Sequence, residues 1–111
     1  MSEAFVWFHN SSEKTGPSNA FYEGLLGWTR AEGPPGMTMF AGEKGPFAAL
    51  GEADGSVGWT PYAQVDDVDA ATRKARELGG TIVKEKARGP AGVYSIVRDP
   101  GGATVALWQK A

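Results

Sequence analysis

The chain has 111 residues and a formal net charge of −2, with 41% apolar and 22% charged residues. That length holds one domain, or two small halves sharing one core, and the near-neutral balance gives no broad basic face for nucleic acid. With no cysteine, the sequence excludes disulfides, thiolate metal sites and a cysteine nucleophile, and leaves the redox compartment open.

The opening MSEAFVWFHN has no charged n-region and no long apolar run, so no signal peptide is expected. No stretch approaches a membrane span, and the expected location is cytoplasmic. Phe5-Val6-Trp7-Phe8-His9 is strand-forming, with Phe5, Trp7 and His9 on one face and Val6 and Phe8 on the other. Both faces are mostly apolar, which predicts a strand covered on both sides. Asn10–Gly16 reads as a polar loop. Pro17 suits a first helical position, Ala20, Phe21, Gly24 and Leu25 form the inward stripe of that helix, and Gly27 ends it. Strands follow at Trp28–Glu32, Met37–Ala41 and Phe47–Leu50, separated by Gly-Pro-Pro-Gly at 33–36 and by Glu43-Lys44-Gly45. Glu52–Gly58 reads as a linker.

Pro61–Gly80 is the clearest stretch. Tyr62–Val65 is a strand, and Asp66 or Asp67 offers a carboxylate to the free N–H groups of a helix start. Asp69 lies in the first turn, where the helix dipole favours negative charge, and Arg73, Lys74 and Arg76 lie toward the other end. Val68, Ala71, Ala75 and Leu78 make an apolar stripe, and Gly79-Gly80 stops the helix. Capping, rather than catalysis, accounts for these carboxylates. The remaining strands are Thr81–Lys84, Val93–Arg98 and Ala103–Trp108, with turns at Ala87–Ala91 and Asp99-Pro100-Gly101-Gly102.

The order is therefore β-α-β-β-β twice, with modules over residues 1–54 and 55–111. The repeat has a register: Trp7 precedes Gly27 by the same spacing as Thr60 precedes Gly80, and Phe47-Ala48-Ala49-Leu50 matches Thr104-Val105-Ala106-Leu107. Three segments, AFYEGLLGW at 20–28, YAQVDDVDAATRKARELGG at 62–80 and DPGGATVALWQ at 99–109, resemble the glyoxalase / bleomycin-resistance / dioxygenase superfamily, also called vicinal oxygen chelate proteins. The resemblance implies an α+β fold: two βαβββ modules forming a curved mixed sheet around a shared cavity, with helices outside.

The same resemblance implies four slots for metal ligands in the metal-dependent members, here Trp7, Ala49, Thr60 and Ala106. Indole and methyl groups offer a divalent cation no lone pair, and a lone threonine hydroxyl is a poor ligand, so no metal and no cofactor are expected. His9, the one histidine, faces the same way as Trp7. It reads either as a polar anchor or general base, or as a strand-end histidine bonded to a carbonyl. A one-residue shift of register would put His9 in a ligand slot, with Glu52 and Tyr62 as the further donors.

Alternation gives the inward face as Phe5, Trp7, His9, Phe47, Ala49, Thr60, Tyr62, Gln64, Thr104, Ala106 and Trp108. Trp7 and Trp108 either line a pocket or fill a core, and Trp28 and Phe21 are read as structural. Three functions stand. The first is a metal-free protein binding a small aromatic or hydrophobic molecule through Phe5, Trp7, Phe47, Thr60, Gln64, Thr104 and Trp108. The second is a lyase or isomerase with His9 and Tyr62 as catalytic acid–base groups. The third is a dimeric structural or regulatory module with a filled cavity. The resemblance implies a homodimer in each case, while the charge and the lack of a long apolar run lead to no nucleic acid or membrane partner being expected.

Overall fold

The computed structural model describes residues 4–53, 56–89 and 91–111. Asp54 and Gly55 of the expected linker, Pro90 of the expected turn and the first three residues of the opening segment lie outside them. The fold is α+β, with the predicted β-α-β-β-β order occurring twice. The elements are β1 (Phe5–Ser12), α1 (Thr15–Leu26), β2 (Thr29–Ala31), β3 (Met37–Gly42), β4 (Gly45–Glu52), β5 (Gly58–Gln64), α2 (Val68–Glu77), β6 (Thr81–Gly89), β7 (Gly92–Arg98) and β8 (Thr104–Lys110). Two compact units emerge: Trp7–Thr60, and Pro61–Ala111 together with the start of the chain up to Val6.

In the Trp7–Thr60 unit the strands run β2-β3-β4-β1, with β1 parallel to β4 and the other pairs antiparallel. Phe40, Ala48 and Leu50 form its core, with Tyr22, Trp28 and Phe47 packed against them. Helix α1 lies on this face through polar side chains. Asn19 donates to Thr38 Oγ1 at 3.0 Å, Ser12 and Ser18 share a hydroxyl bond of 2.7 Å, and the Tyr22 ring meets Phe40 at 6.3 Å.

This differs from the expectation for α1. The helix begins at Thr15, so Pro17 sits inside the first turn, and Ser12 Oγ accepts the Lys14 N–H ahead of it. Asn10–Ser12, read as loop, continues β1. The anticipated inward stripe points outward: Ala20 and Gly24 are exposed, Phe21 is 58% exposed and Leu25 63%. The sheet under α1 offers hydroxyl and amide groups from Asn10, Ser12 and Thr38, and buried polar groups need partners, so the polar side of the helix turns inward. Nor is β1 covered on both faces along its length, since Phe5, Val6 and Phe8 are all exposed.

In the other unit the strands run β5-β8-β7-β6, with β5 parallel to β8 and the rest antiparallel. Asp67 is the N-cap of α2, accepting from the N–H groups of Asp69 and Ala70 at 3.0 and 3.1 Å. Val68 is buried, and its N–H donates to Gln109 Oε1 at 2.9 Å. The stripe holds through Val68, Ala71 and Ala75 but not Leu78, which is exposed. Buried Thr72 takes its place, donating to the Val68 carbonyl and sharing a 2.7 Å bond with Ser95 Oγ on β7. That bond fixes which face of the sheet α2 covers. Ser95, Val97, Leu107 and Gln109 face the helix, while Tyr94, Ile96, Arg98, Thr104, Ala106 and Trp108 face away.

Candidate functional site

On the helix-covered face of the Trp7–Thr60 unit, four aromatic residues surround Tyr22. Its ring stacks on Trp28 at 5.5 Å and 12°, meets Trp59 edge-on at 5.3 Å and Phe40 at 6.3 Å, and meets its neighbour Phe21 edge-on. Trp28 in turn meets Phe47 at 4.8 Å and 85°. The Tyr22 hydroxyl accepts twice, from Trp59 Nε1 at 2.9 Å and from Asn10 Nδ2 at 3.3 Å. Both tryptophans follow a glycine in left-handed conformation, Gly27 with φ 70° and Gly58 with φ 120°. Glycine takes this conformation without a Cβ penalty, so the chain turns sharply and delivers the next side chain across the sheet.

Between these rings lies an open cleft of about 260 Å³ lined by Phe8, Trp28, Phe47, Ala48 and Trp59. Every lining residue is aromatic or alanine. The one indole N–H of Trp59 is already engaged by Tyr22, so its ring is held edge and face in a fixed attitude. An apolar, pre-arranged aromatic wall suits a flat guest. Of the residues expected to bind ligand, Phe47 alone belongs to this cleft. Strict alternation assigns it to the face of Ala49, but the ladder shifts between Phe40 and Ala41, where Ala41 meets Pro46, and Phe47 packs with the core cluster. Phe8, Trp28 and Trp59 were missed, although the Gly-Trp pairs at 27–28 and 58–59 were there to be read.

The opposite face of this unit carries Trp7 and His9, both half-buried. His9 pairs with Ala49 across the parallel ladder, and its imidazole lies beside Gly51, where an added Cβ would meet Cε1 at 3.7 Å. In the other unit, the matching pair is Tyr62 with Ala106, and Gln64 pairs with Trp108. The repeat therefore aligns His9 with Tyr62 and Ala49 with Ala106. Thr104 lies at the far end of the same face, opposite Arg98. Tyr62, Gln64, Thr104 and Trp108 thus share one sheet face within one unit. Thr60 is half-buried at the end of the first unit, and Phe5 is 55% exposed.

Tyr62 and Tyr94 place their rings 5.9 Å apart. Burial, helped by the electrostatic effect of Tyr94, pushes the Tyr62 hydroxyl up to about 12. It therefore keeps its proton at neutral pH and serves as a donor, not a base. Tyr94 and Lys84, which sequence reasoning passed over, complete this face: Lys84 Nζ donates to the Tyr94 hydroxyl at 3.1 Å.

A divalent ion does not suit the four positions that the resemblance marks for metal ligands. Ala49 and Ala106, 1% and 0% exposed, end in methyl groups. Trp7 brings an indole and Thr60 a lone hydroxyl. Among the described residues, no three of His, Cys, Asp or Glu gather into a set that could hold a metal. Nor, among them, is any helix long and apolar enough to cross a membrane.

The family model for the Glyoxalase/Bleomycin resistance protein/Dioxygenase superfamily matches residues 15–107. The anthracycline biosynthesis protein DnrV of Streptomyces peucetius is 30% identical over 95% of this chain and 46% of its own length. The chain spans about half the length of the curated relatives it matches. Among solved structures, a member of this superfamily from Vibrio splendidus 12B01 aligns with a TM-score of 0.68 at 15% identity, covering 94% of this chain and 97% of that one. Methylmalonyl-CoA epimerase from Streptomyces coelicolor aligns at 0.66 and 15% identity over 100% and 99% of the two chains, a likeness of fold. With the repeated β-α-β-β-β order and its three sequence segments, the matched span shows that this chain belongs to the glyoxalase / bleomycin resistance protein / dioxygenase superfamily.

Proposed function

We propose that this chain binds a small, flat, largely apolar molecule without a divalent ion, and that the Phe8–Trp28–Phe47–Trp59 cleft receives it. The observation that carries the reading is the pairing of two facts: methyl groups at Ala49 and Ala106, and a fixed aromatic wall elsewhere in the chain. Stacking on rings already held in place costs a guest little ordering of the protein, which is how a shallow apolar cleft gains affinity. The similarity to a protein named for anthracycline biosynthesis fits this guest, since anthracyclines are fused-ring aromatic compounds. Trp7, His9, Tyr62, Gln64, Thr104 and Trp108 remain part of the proposal as polar and aromatic groups on the faces turned from the helices.

A second copy of the chain is part of the same proposal. Helix α1 leaves Phe21, Leu25 and Leu26 exposed, and the curated relatives have room for about two such lengths. The test of the binding reading is tryptophan fluorescence on titration with neutral 2-naphthamide. Saturable quenching in the native chain, with affinity at least fivefold weaker in Trp59→Ala, is the expected result. No saturable quenching, or quenching indifferent to Trp59→Ala, overturns it.

The enzymatic reading has less behind it. Tyr62 holds its proton to high pH, which leaves His9 alone of the two to act as the base.

A further inference from the structure

The face of the Pro61–Ala111 unit turned away from α2 has a charge character unlike the rest of the unit. On the helix side, two cations are matched: Arg76 pairs with Glu85 at 3.1 Å and Lys86 with Asp69 at 3.0 Å. On the other side, the register places Lys84 against Ile96 and runs Tyr94, Ile96 and Arg98 along one strand face. Lys84 and Arg98 both belong to this face, and among the described residues neither has a carboxylate within 4.0 Å. Instead the Lys84 ammonium lies 5.4 Å from the Tyr94 ring centroid and donates to its hydroxyl at 3.1 Å. Tyr62 stands 5.9 Å from the same ring, and Gln64 and Trp108 are next to it in the ladder.

We propose that this face binds the ionised oxygen of a flat aromatic acid, a carboxylate or phenolate, with Lys84 as counter-charge, Tyr62 as hydrogen-bond donor and the Tyr94 and Trp108 rings as the stacking surface. The chemistry follows from what each group can offer. An ammonium whose partner among the described residues is a phenol still has N–H groups to give, and bonds to an ionised oxygen are about twice as strong as neutral ones. Tyr62 donates at neutral pH because its phenol stays protonated. Tyr94 already accepts from Lys84, so it aims the ammonium rather than competing for it. Among the described residues no ion pair engages Lys84 or Arg98, and Arg98 adds to the attraction. Tyr62, Tyr94, Arg98 and Trp108 are half-buried and Lys84 is exposed, so a ligand can reach them. This site is distinct from the aromatic cleft of the Trp7–Thr60 unit and goes beyond it in ligand class.

The test compares 2-naphthoate with 2-naphthamide, which share shape but differ in charge, by isothermal titration at pH 7.5. The native chain is expected to bind the naphthoate about tenfold more tightly, a difference of roughly 1.4 kcal/mol. The preference should shrink in rising salt, as exposed charge contacts are screened. Lys84→Gln should abolish it, Lys84→Arg should keep most of it, and Tyr62→Phe should cut it severalfold. Arg76→Gln, which removes a cation from the helix side of the same unit, should leave it intact. Equal binding of the two probes, no binding of the naphthoate, or a preference that survives Lys84→Gln overturns the proposal. Failure of the aromatic cleft reads separately, as a naphthamide affinity indifferent to Trp59→Ala. Circular dichroism of each variant shows that it is folded, and the charge-preserving Lys84→Arg separates lost charge from lost structure.

Discussion

Replacing Tyr22 by phenylalanine removes one oxygen and leaves the ring. The stacking on Trp28 at 5.5 Å and the edge contact with Trp59 at 5.3 Å are retained. What disappears is the acceptor shared by Trp59 Nε1 and Asn10 Nδ2. Trp59 is 37% exposed and can turn its N–H to water, so its loss is small. Asn10 is 6% exposed, and the Tyr22 hydroxyl is its side-chain amide's acceptor. Leaving a buried donor unmet costs about 1–3 kcal/mol, whereas a typical satisfied bond contributes only about 1 kcal/mol net. Tyr22→Phe should therefore destabilise the chain by roughly 1–3 kcal/mol, read as a lower midpoint in urea with unchanged slope. The four tryptophans report the transition by fluorescence, with far-ultraviolet circular dichroism as the second probe. A double-mutant cycle with Trp59→Phe sharpens the result: the two losses share an acceptor, so they should sum to less than additive. A Tyr22→Phe effect below about 0.3 kcal/mol, additive with Trp59→Phe, would refute the account of how the cleft is held together.

Asp67→Ala removes the cap of α2 and should lower stability by about 1 kcal/mol, as thermal melts will show. Tyr62 contributes stability that is complete below pH 10, its unfolded value, and is lost as pH rises through about 12, its folded one. Urea midpoints measured across that window should fall more steeply in the native chain than in Tyr62→Phe. If α1 meets a second copy, Leu25→Glu should convert a dimer to a monomer in light scattering with little loss of monomer stability, since Leu25 is 63% exposed. A native chain already monomeric at tens of micromolar would remove that part of the proposal.

The repeat was legible because its punctuation is chemical. Gly27 takes the left-handed conformation and stops α1, and the carboxylate of Asp67 caps α2, as the residue types require. Strand order came through for the same reason, with β-branched and aromatic runs between glycine turns, although β6 runs on to Gly89 through residues read as a turn. The inward face of α1 did not. Spacing selected Ala20, Phe21, Gly24 and Leu25, but the sheet beneath α1 presents Asn10, Ser12 and Thr38, and only contact with that surface turns Ser18, Asn19 and Tyr22 inward. Thr72 was overlooked because its partner, Ser95, is distant in sequence. In the candidate site, period-two alternation correctly grouped Tyr62, Gln64, Thr104 and Trp108, because β8 pairs with β5 and β7 without a shift. It failed for Phe47, where the β3–β4 ladder slips by a residue. The role of Trp59 depends on its bond to Tyr22, which no local pattern encodes.

The central claim is that aromatic surface has taken over from metal ligation in binding a guest. Its most direct measurement is the 2-naphthamide dissociation constant of chelator-stripped protein, alone and with zinc, nickel or manganese added. The account predicts saturable binding in the stripped protein, with a constant unchanged by any of the three ions. Affinity that appears only once an ion is restored would contradict it.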